Sequence, residues 1–517
     1  MKNITNKFLV WLLVVAGTFT GCDEFLEEEV RGRISPSNFF NNDTDAELAV
    51  NGVYRLLHGR GIYGQRGLDD YITYGTDVVE PTRNTPSSAA VSSYLIAEGV
   101  ADGNGSWSEL YEVVNASTEF LTYIEGNTKI TEPTRNEVVG ELLFLRALAY
   151  YHLTNLWGDV PYIRELMDPV EAGKLPRFDK VQIRTDMKND LERAISLMSD
   201  LHPDELASKA TKWAGFALKA KYHLIDKEWQ QAKDACDSII EKSHHTLLPN
   251  FEDLFDYTEP ANTITNEHIF VVDFATDVVS TWKTSAFNPR LRDEPRNRNA
   301  RPGGPGTPKN GDLLKAALEE QGEAMNGFGG ASPMLNLARQ SNWQDGDLRY
   351  DVTIVTEYLG FQLRHPYFRK MWNLNNEESP RQNHHENYTV FRLADIYLMA
   401  AEAENELNGP TNAYPYVNRV RERAFEPDQP WSGMSQTEFR EAMYDERKFE
   451  LCAEGHRKTD LIRWGILLDV VQNELHRSFN NAPTNIKDRH VLLPIPQAQL
   501  ILNPALLDSD PTNNGYR

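Results

Sequence analysis

Apolar residues recur at helical spacing along most of this chain. Over 106–124, Trp107, Leu110, Tyr111, Val114, Ser117, Phe120 and Leu121 fall on one face, which predicts an amphipathic helix. The same period predicts a helix over 45–57, an alanine-rich, aromatic one over 137–156 closed by Gly158-Asp159-Val160-Pro161, and a partner over 180–198. Helices over 211–225 and 228–242 meet at the tight Asp226-Lys227 turn. Ala214, Ala217 and Ala220 on the first and Ala232 and Ala235 on the second let the two axes approach closely. A second such pair spans 390–407 and 411–424 around the Asn408-Gly409-Pro410 break, with Ala394, Ala400, Ala401, Ala403 and Ala413 as its small positions. Helix-turn-helix units of this kind belong to tetratricopeptide-type repeats of roughly 34 residues. The expected fold is therefore mainly α, a scaffold of tetratricopeptide-like helical pairs, with an unrelated bundle of alanine-rich helices as the alternative.

Between these units the period disappears. Residues 250–387 are rich in Pro, Gly, Asn and aromatics, with one short helix near 312–321 and short strands expected at 269–274 and 351–356. Residues 59–105 hold Tyr63, Tyr71, Tyr74 and Tyr94 among glycines and polar side chains. Irregular segments of this length inside a compact protein are usually functional, so the two stretches form a loop-rich lobe and the candidate binding face. The helical scaffold then occupies mainly 106–245 and 388–465.

The start of the chain is organised differently. Lys2 and Lys7 precede an apolar run from Phe8 to Ala16, too short to span a bilayer, and Phe19-Thr20-Gly21-Cys22 looks like a lipobox. Residues 1–21 read as a signal peptide, 22–43 as a lipidated Cys22 with an acidic tether, and 44–517 as one domain in water beside a membrane. Hydrophobic residues are 40% and charged residues 25% of the 517, as in ordinary globular proteins. Lys+Arg number 53 against 76 Asp+Glu, and the resulting −23 repels phosphate backbones, which excludes nucleic acid as a partner. Three cysteines make no disulfide framework and no metal knuckle.

Catalytic signatures are missing from the sequence: no His-Glu-x-x-His, no Gly-x-Ser-x-Gly and no phosphate-binding glycine loop, so neither a catalytic residue nor a metal or cofactor is expected. The dense run 446–464 sets Glu446, Glu450 and Glu454 four apart and Asp460 three before Arg463, which suits intrahelical ion pairs better than acid–base work. His244-His245 and His384-His385 read as solvated loop pairs pointing to different sides. Asp345-Gly346-Asp347 with Asp351 lacks a full calcium loop and reads as a capping turn. Against the acidic background, residues 282–301 gather Lys283, Arg290, Arg292, Arg296, Arg298 and Arg301. Arginine forks match carboxylates and sulfates, so this segment either invites an anionic ligand, or neutralises the acidic body or binds a partner protein.

The order of motifs has a precedent. Leu143-Phe144-Leu145-Arg146-Ala147, Trp157-Gly158-Asp159-Val160-Pro161, Phe391-Arg392-Leu393-Ala394-Asp395, Asp445-Glu446-Arg447, Glu454-Gly455-His456-Arg457 and Leu493-Pro494-Ile495-Pro496 together resemble the SusD/RagB family of surface nutrient-binding lipoproteins of Bacteroidetes. The resemblance runs through the mature chain. It implies four tetratricopeptide-like pairs packed on an irregular lobe, anchorage at the outer membrane facing the exterior, and delivery of captured oligosaccharide to a SusC-like TonB-dependent transporter. Peptide capture, a purely structural partnership with the transporter, and a glycoside hydrolase with two spaced carboxylates are the rival readings. Sugar rings have apolar faces on which aromatics stack. The expected site therefore joins the 71–83 and 282–301 segments, with Tyr71, Tyr74 or Trp282 as platforms and Asp77, Arg83, Arg290 and Arg292 as polar contacts to an acidic glycan.

Overall fold

A computed structural model describes residues 39–82, 86–99, 105–201, 207–257, 264–291, 310–325, 327–374 and 383–517. Cys22 with its acidic tether, Arg83 and Arg292 lie outside the described residues.

The scaffold is a relay of helices: α1 (Asp43–Leu56), α2 (Gly67–Thr73), α3 (Ser106–Ile124), α4 (Glu132–Trp157), α5 (Lys180–Leu197), α6 (Lys212–Ile225), α7 (Trp229–Lys242), α8 (Leu393–Asn408), α9 (Tyr414–Ala424), α10 (Gln436–Glu450) and α11 (Arg457–Trp464). Helices α1 and α3 pack on α4, α4 on α5, α5 on α6, α6 on α7, α7 on α8, and α8 on both α9 and α10. The pairs thus stack as the small residues predict, and Ala214, Ala217, Ala220, Ala232, Ala400 and Ala403 are all fully buried. Helix α4 is the axle. It is buried on most of its circumference, from Val138 to Trp157, because neighbours press on every side. Glycine matters where α6 meets α5: a Cβ at Gly215 would stand 2.8 Å from Ile195 Cγ1. Gly215→Leu is expected to force the two helices apart and lower stability by about 1–3 kcal/mol in urea denaturation; an unchanged midpoint would show that this contact is not tight.

The stack resumes across an excursion of the chain. Helices α7 and α8 are direct neighbours although the irregular lobe lies between them in sequence. Strand β2 (His268–Val272) and strand β6 (Tyr388–Arg392) pair antiparallel at the exit and return of that lobe, with Val271 opposite Thr389 and Val272 opposite Tyr388. The helix predicted from 390 consequently begins only at Leu393, since 388–392 is held extended by its partner strand. Strand β1 (Val79–Pro81) pairs with β3 (Ala331–Pro333), which joins the two irregular stretches of the sequence. Strands β4 (Ile354–Tyr358) and β5 (Phe361–Phe368) form a hairpin. Its turn residues Leu359 and Gly360 both carry positive φ, as the right-handed strand twist requires. The strand expected at 351–356 is half helix, because Arg349–Thr353 makes one turn before β4 starts.

Candidate functional site

Residues 59–73 are not the open loop that their composition predicts. The chain doubles back so tightly that a Cβ at Gly67 would lie 2.2 Å from Gly61 O, and it then enters α2, every residue of which is buried. Tyr74 is 1% exposed, with the Arg66 guanidinium 5.6 Å from its ring centroid. Tyr71 is buried and lines an internal chamber. Asp77 is taken up by Arg457, whose Nε and Nη2 donate to its two oxygens at 2.8 and 2.6 Å. Burial raises the Asp77 carboxyl, but Arg457 outweighs it and holds the group below the usual carboxylate range. These three residues therefore face inward, and over its described part, 71–82, the exposed loop expected from the sequence is corrected to the end of α2, a buried bend and strand β1.

Residues 279–290 come against the first irregular stretch at 60–70. The Trp282 N–H donates to Gly64 O at 3.2 Å, and Lys283 Nζ lies 3.4 Å from Asp69 Oδ1 and 3.8 Å from the Tyr388 ring centroid. Trp282 is half-buried at this seam, with the guanidinium of exposed Arg60 5.2 Å above its indole. Arg290 is half-buried beside Gly329. Of the residues named from sequence, Trp282 and Arg290 thus reach the lobe's surface. Arg60 was missed; its only signal is its place between Gly59 and Gly61 in a glycine-rich run.

Two clusters imitate chemistry. Ser285 Oγ lies 2.8 Å from His384 Nε2, and His384 Nδ1 lies 3.4 Å from Glu386 Oε1, the order of a nucleophile, base and acid. Ser285, however, is fully buried and His384 is 1% exposed, so the trio cross-links the lobe from inside, and the solvated pair read from His384-His385 is corrected. The rings of His244 and His245 lie against each other, centroids 4.2 Å apart, and not on opposite sides. Asp347 accepts from the backbone and the guanidinium of Arg349, so this end of the acidic turn is occupied by a cation of the chain itself.

The carboxylates of 446–454 find partners on other elements, not along their own helix. Arg392 donates from Nε to Glu454 at 2.7 Å and from Nη1 to Glu267 and Glu450 at 3.0 and 2.7 Å. Arg349 reaches Glu446 and Glu450, Arg421 reaches Glu446, Arg423 reaches Glu267 and Glu450, and Lys370 reaches Glu454. Five cations, Arg349, Arg392, Arg421, Arg423 and Lys370, so face five carboxylates, Asp347, Glu267, Glu446, Glu450 and Glu454, all buried or nearly so. The Asp460–Arg463 pair is intrahelical, as predicted. The lattice is structural: it bolts the irregular lobe to α8, α9 and α10.

A stack of helical pairs carrying an irregular lobe with a few short strands defines the fold class. The chain belongs to the SusD family. The sequence model described as SusD family matches residues 358–516, and one described as starch-binding and associating with the outer membrane matches residues 80–224. SusD-like protein P25 of Formosa agariphila is 41% identical over 541 aligned residues, covering 99% of each chain. A SusD homologue from Bacteroides thetaiotaomicron superposes with a TM-score of 0.76 at 21% identity, covering 92% of this chain and 98% of the other. Surface glycan-binding protein A of Bacteroides thetaiotaomicron, solved with laminarihexaose, superposes with a TM-score of 0.70 at 18% identity, covering 92% and 100%.

Proposed function

We propose that this protein is a surface glycan-binding lipoprotein, anchored through Cys22 at the outer membrane, that captures oligosaccharide on the seam around Trp282 and Arg60 and passes it to a SusC-like TonB-dependent transporter. The observation that carries the reading is the half-exposed indole with an arginine over it, on the irregular lobe of a fold whose relatives include a protein solved with laminarihexaose. An indole gives the apolar face of a pyranose a flat partner on the face opposite Arg60, and the guanidinium fork bonds hydroxyls or a carboxylate. Arg290 and the arginines that follow it in sequence make an acidic glycan the preferred ligand over a neutral one. Isothermal titration of acidic and neutral oligosaccharides against the wild type, Trp282→Ala and Arg60→Ala tests this. Trp282→Ala is expected to weaken binding at least tenfold, about 1.4 kcal/mol or more. Arg60→Ala should weaken the acidic ligand more than the neutral one, and the acidic ligand's affinity should fall with salt. Unchanged affinity in both variants would remove the seam, and tight, salt-insensitive binding of a neutral glucan would remove the acidic preference.

A further inference from the structure

Away from the residues of that seam, α4, α6, α11 and residues 490–493 line a partly open chamber of about 260 Å³. Tyr63, Tyr71, Tyr151 and Tyr388 supply aromatic wall. The volume sits just under the roughly 300–1,000 Å³ of ordinary ligand pockets, which limits an occupant to one small molecule. Half-buried Asn155, Thr459, Ile462 and Val491 mark where the chamber approaches the surface.

Its polar groups are unbalanced in one direction. Lys221, Arg447 and Arg463, which line the chamber, are matched by Asp395, Asp460 and Glu402. Lys458 is not matched. It is 6% exposed, donates to Tyr74 O at 3.3 Å and lies 5.2 Å from the Tyr94 ring centroid, and among the described residues no carboxylate stands within ion-pair distance. Burial alone pushes its ammonium down to about 8, with no anion to restore it.

The imidazoles point the same way. His490 Nδ1 accepts from the Lys487 N–H at 2.8 Å, which puts the ring proton on Nε2, and that N–H has no partner although the residue is 4% exposed. Lys221 Nζ lies 3.3 Å from His456 Nδ1, where the ammonium can only donate, so His456 Nε2 is likewise a donor without an acceptor. Asn155 spends its Oδ1 on Arg184 at 2.9 Å and leaves Nδ2 unpartnered. Helix α11 opens beside them with no capping side chain. Each buried orphan donor costs about 1–3 kcal/mol, and a wall whose unpartnered atoms are donors calls for an occupant made of acceptors.

We propose that this chamber is a second binding site, separate from the Trp282 seam, for one small oxyanion: a carboxylate on a compact carbon skeleton that takes Lys458, His456, His490 and Asn155 as donors and the tyrosines as walls. The inference does not rest on the glycan reading, since none of these residues belongs to the seam.

The test uses full-length, detergent-solubilised protein carrying Trp282→Ala and Arg60→Ala together, which removes both seam contacts. Glucuronate, glucose and inorganic phosphate are titrated calorimetrically into this protein and into the same chain with Lys458→Met or His490→Phe added. Saturable one-to-one binding of glucuronate, at least tenfold tighter than glucose and weakened at least tenfold by either added substitution, is the expected result. Phosphate binding with the same two losses supports the oxyanion site and identifies the source as inorganic. Absence of saturable binding by either anion overturns the proposal, as does glucose binding equal to glucuronate, or anion binding undiminished in both variants. Should Lys458→Met not fold, His490→Phe carries the same comparison.

Discussion

Arg392→Met is expected to cost the protein about 3–5 kcal/mol, the largest loss of any single surface-neutral change considered. Arg392 is 1% exposed, and its guanidinium serves Glu454, Glu450, Glu267 and the Glu450 carbonyl together. Removing it leaves Glu454, Glu450 and Glu267 each short of one buried cation, and the desolvation of those charges is then only partly offset by Lys370, Arg349 and Arg423. By contrast, Arg517 pairs with Glu98 at the surface, where ion pairs are worth about 0–1 kcal/mol, so Arg517→Ala should be nearly silent. Urea denaturation of both variants checks the ranking. Adding Glu454→Gln to Arg392→Met should restore part of the loss, because the two sites couple. A loss under about 1 kcal/mol for Arg392→Met would mean that the lattice relaxes or hydrates around the gap.

Glu141→Gln should do the opposite and stabilise the protein above neutral pH, by up to about 3 kcal/mol. Glu141 is 2% exposed on α4, and its Oε2 has no partner. Burial pushes its carboxyl up to about 7, only partly countered by Tyr54. A carboxyl whose folded pKa exceeds its unfolded one binds its proton more tightly when folded. Its contribution is complete below about 4.5 and is lost as pH rises through about 7. Asp70, raised to about 6 by burial, and Glu80, raised to about 7 by burial, act in the same direction. Glu450 and Glu454 have the reverse sign: burial raises them, but the surrounding arginines and Lys370 hold them well below the carboxylate range, Glu454 at about 2. Their stabilisation is fully present above about 4.5 and is lost as pH falls below it, for Glu454 down toward about 2. Maximum stability is therefore expected near pH 5, and Glu141→Gln should flatten the decline between pH 5 and pH 8. An identical slope in wild type and variant would exclude Glu141 as its source.

The helices were legible because their cores repeat with the period of the helix itself; 106–124 matches α3 end to end. What escaped was whatever a distant partner decides. The β6 strand was read as the first turn of α8 because its ladder comes from β2, more than a hundred residues earlier. Helix α2 was hidden because Asp69 and Asp70, buried with Lys283 and Arg66 as partners, break the apolar pattern. Tyr74 and Asp77 looked like surface chemistry in a glycine-rich context, since nothing local reveals that Arg66 will cover the ring or that Arg457 will claim the carboxylate. Trp282 stands out in the sequence as an aromatic beside a run of arginines, whereas the Lys283–Phe287 helix that follows it and the Lys283–Asp69 pair beside it depend on the rest of the fold.

The β2–β6 ladder has an evolutionary consequence. The two ends of the excursion from 273 to 387 are pinned one strand spacing apart by backbone hydrogen bonds, which do not depend on what lies between them. Lengthening a closed loop twofold adds only about 0.6 kcal/mol of closure entropy. The excursion behaves as a cassette in a fixed socket: it can be lengthened, shortened or exchanged for another lineage's, with the stack of helical pairs bearing none of the cost. Its retained terms of fit are the β1–β3 pairing and the charges at Arg349 and Lys370 that seat it in the lattice. Diversification of what the lobe recognises can then proceed without renegotiating the architecture that carries it.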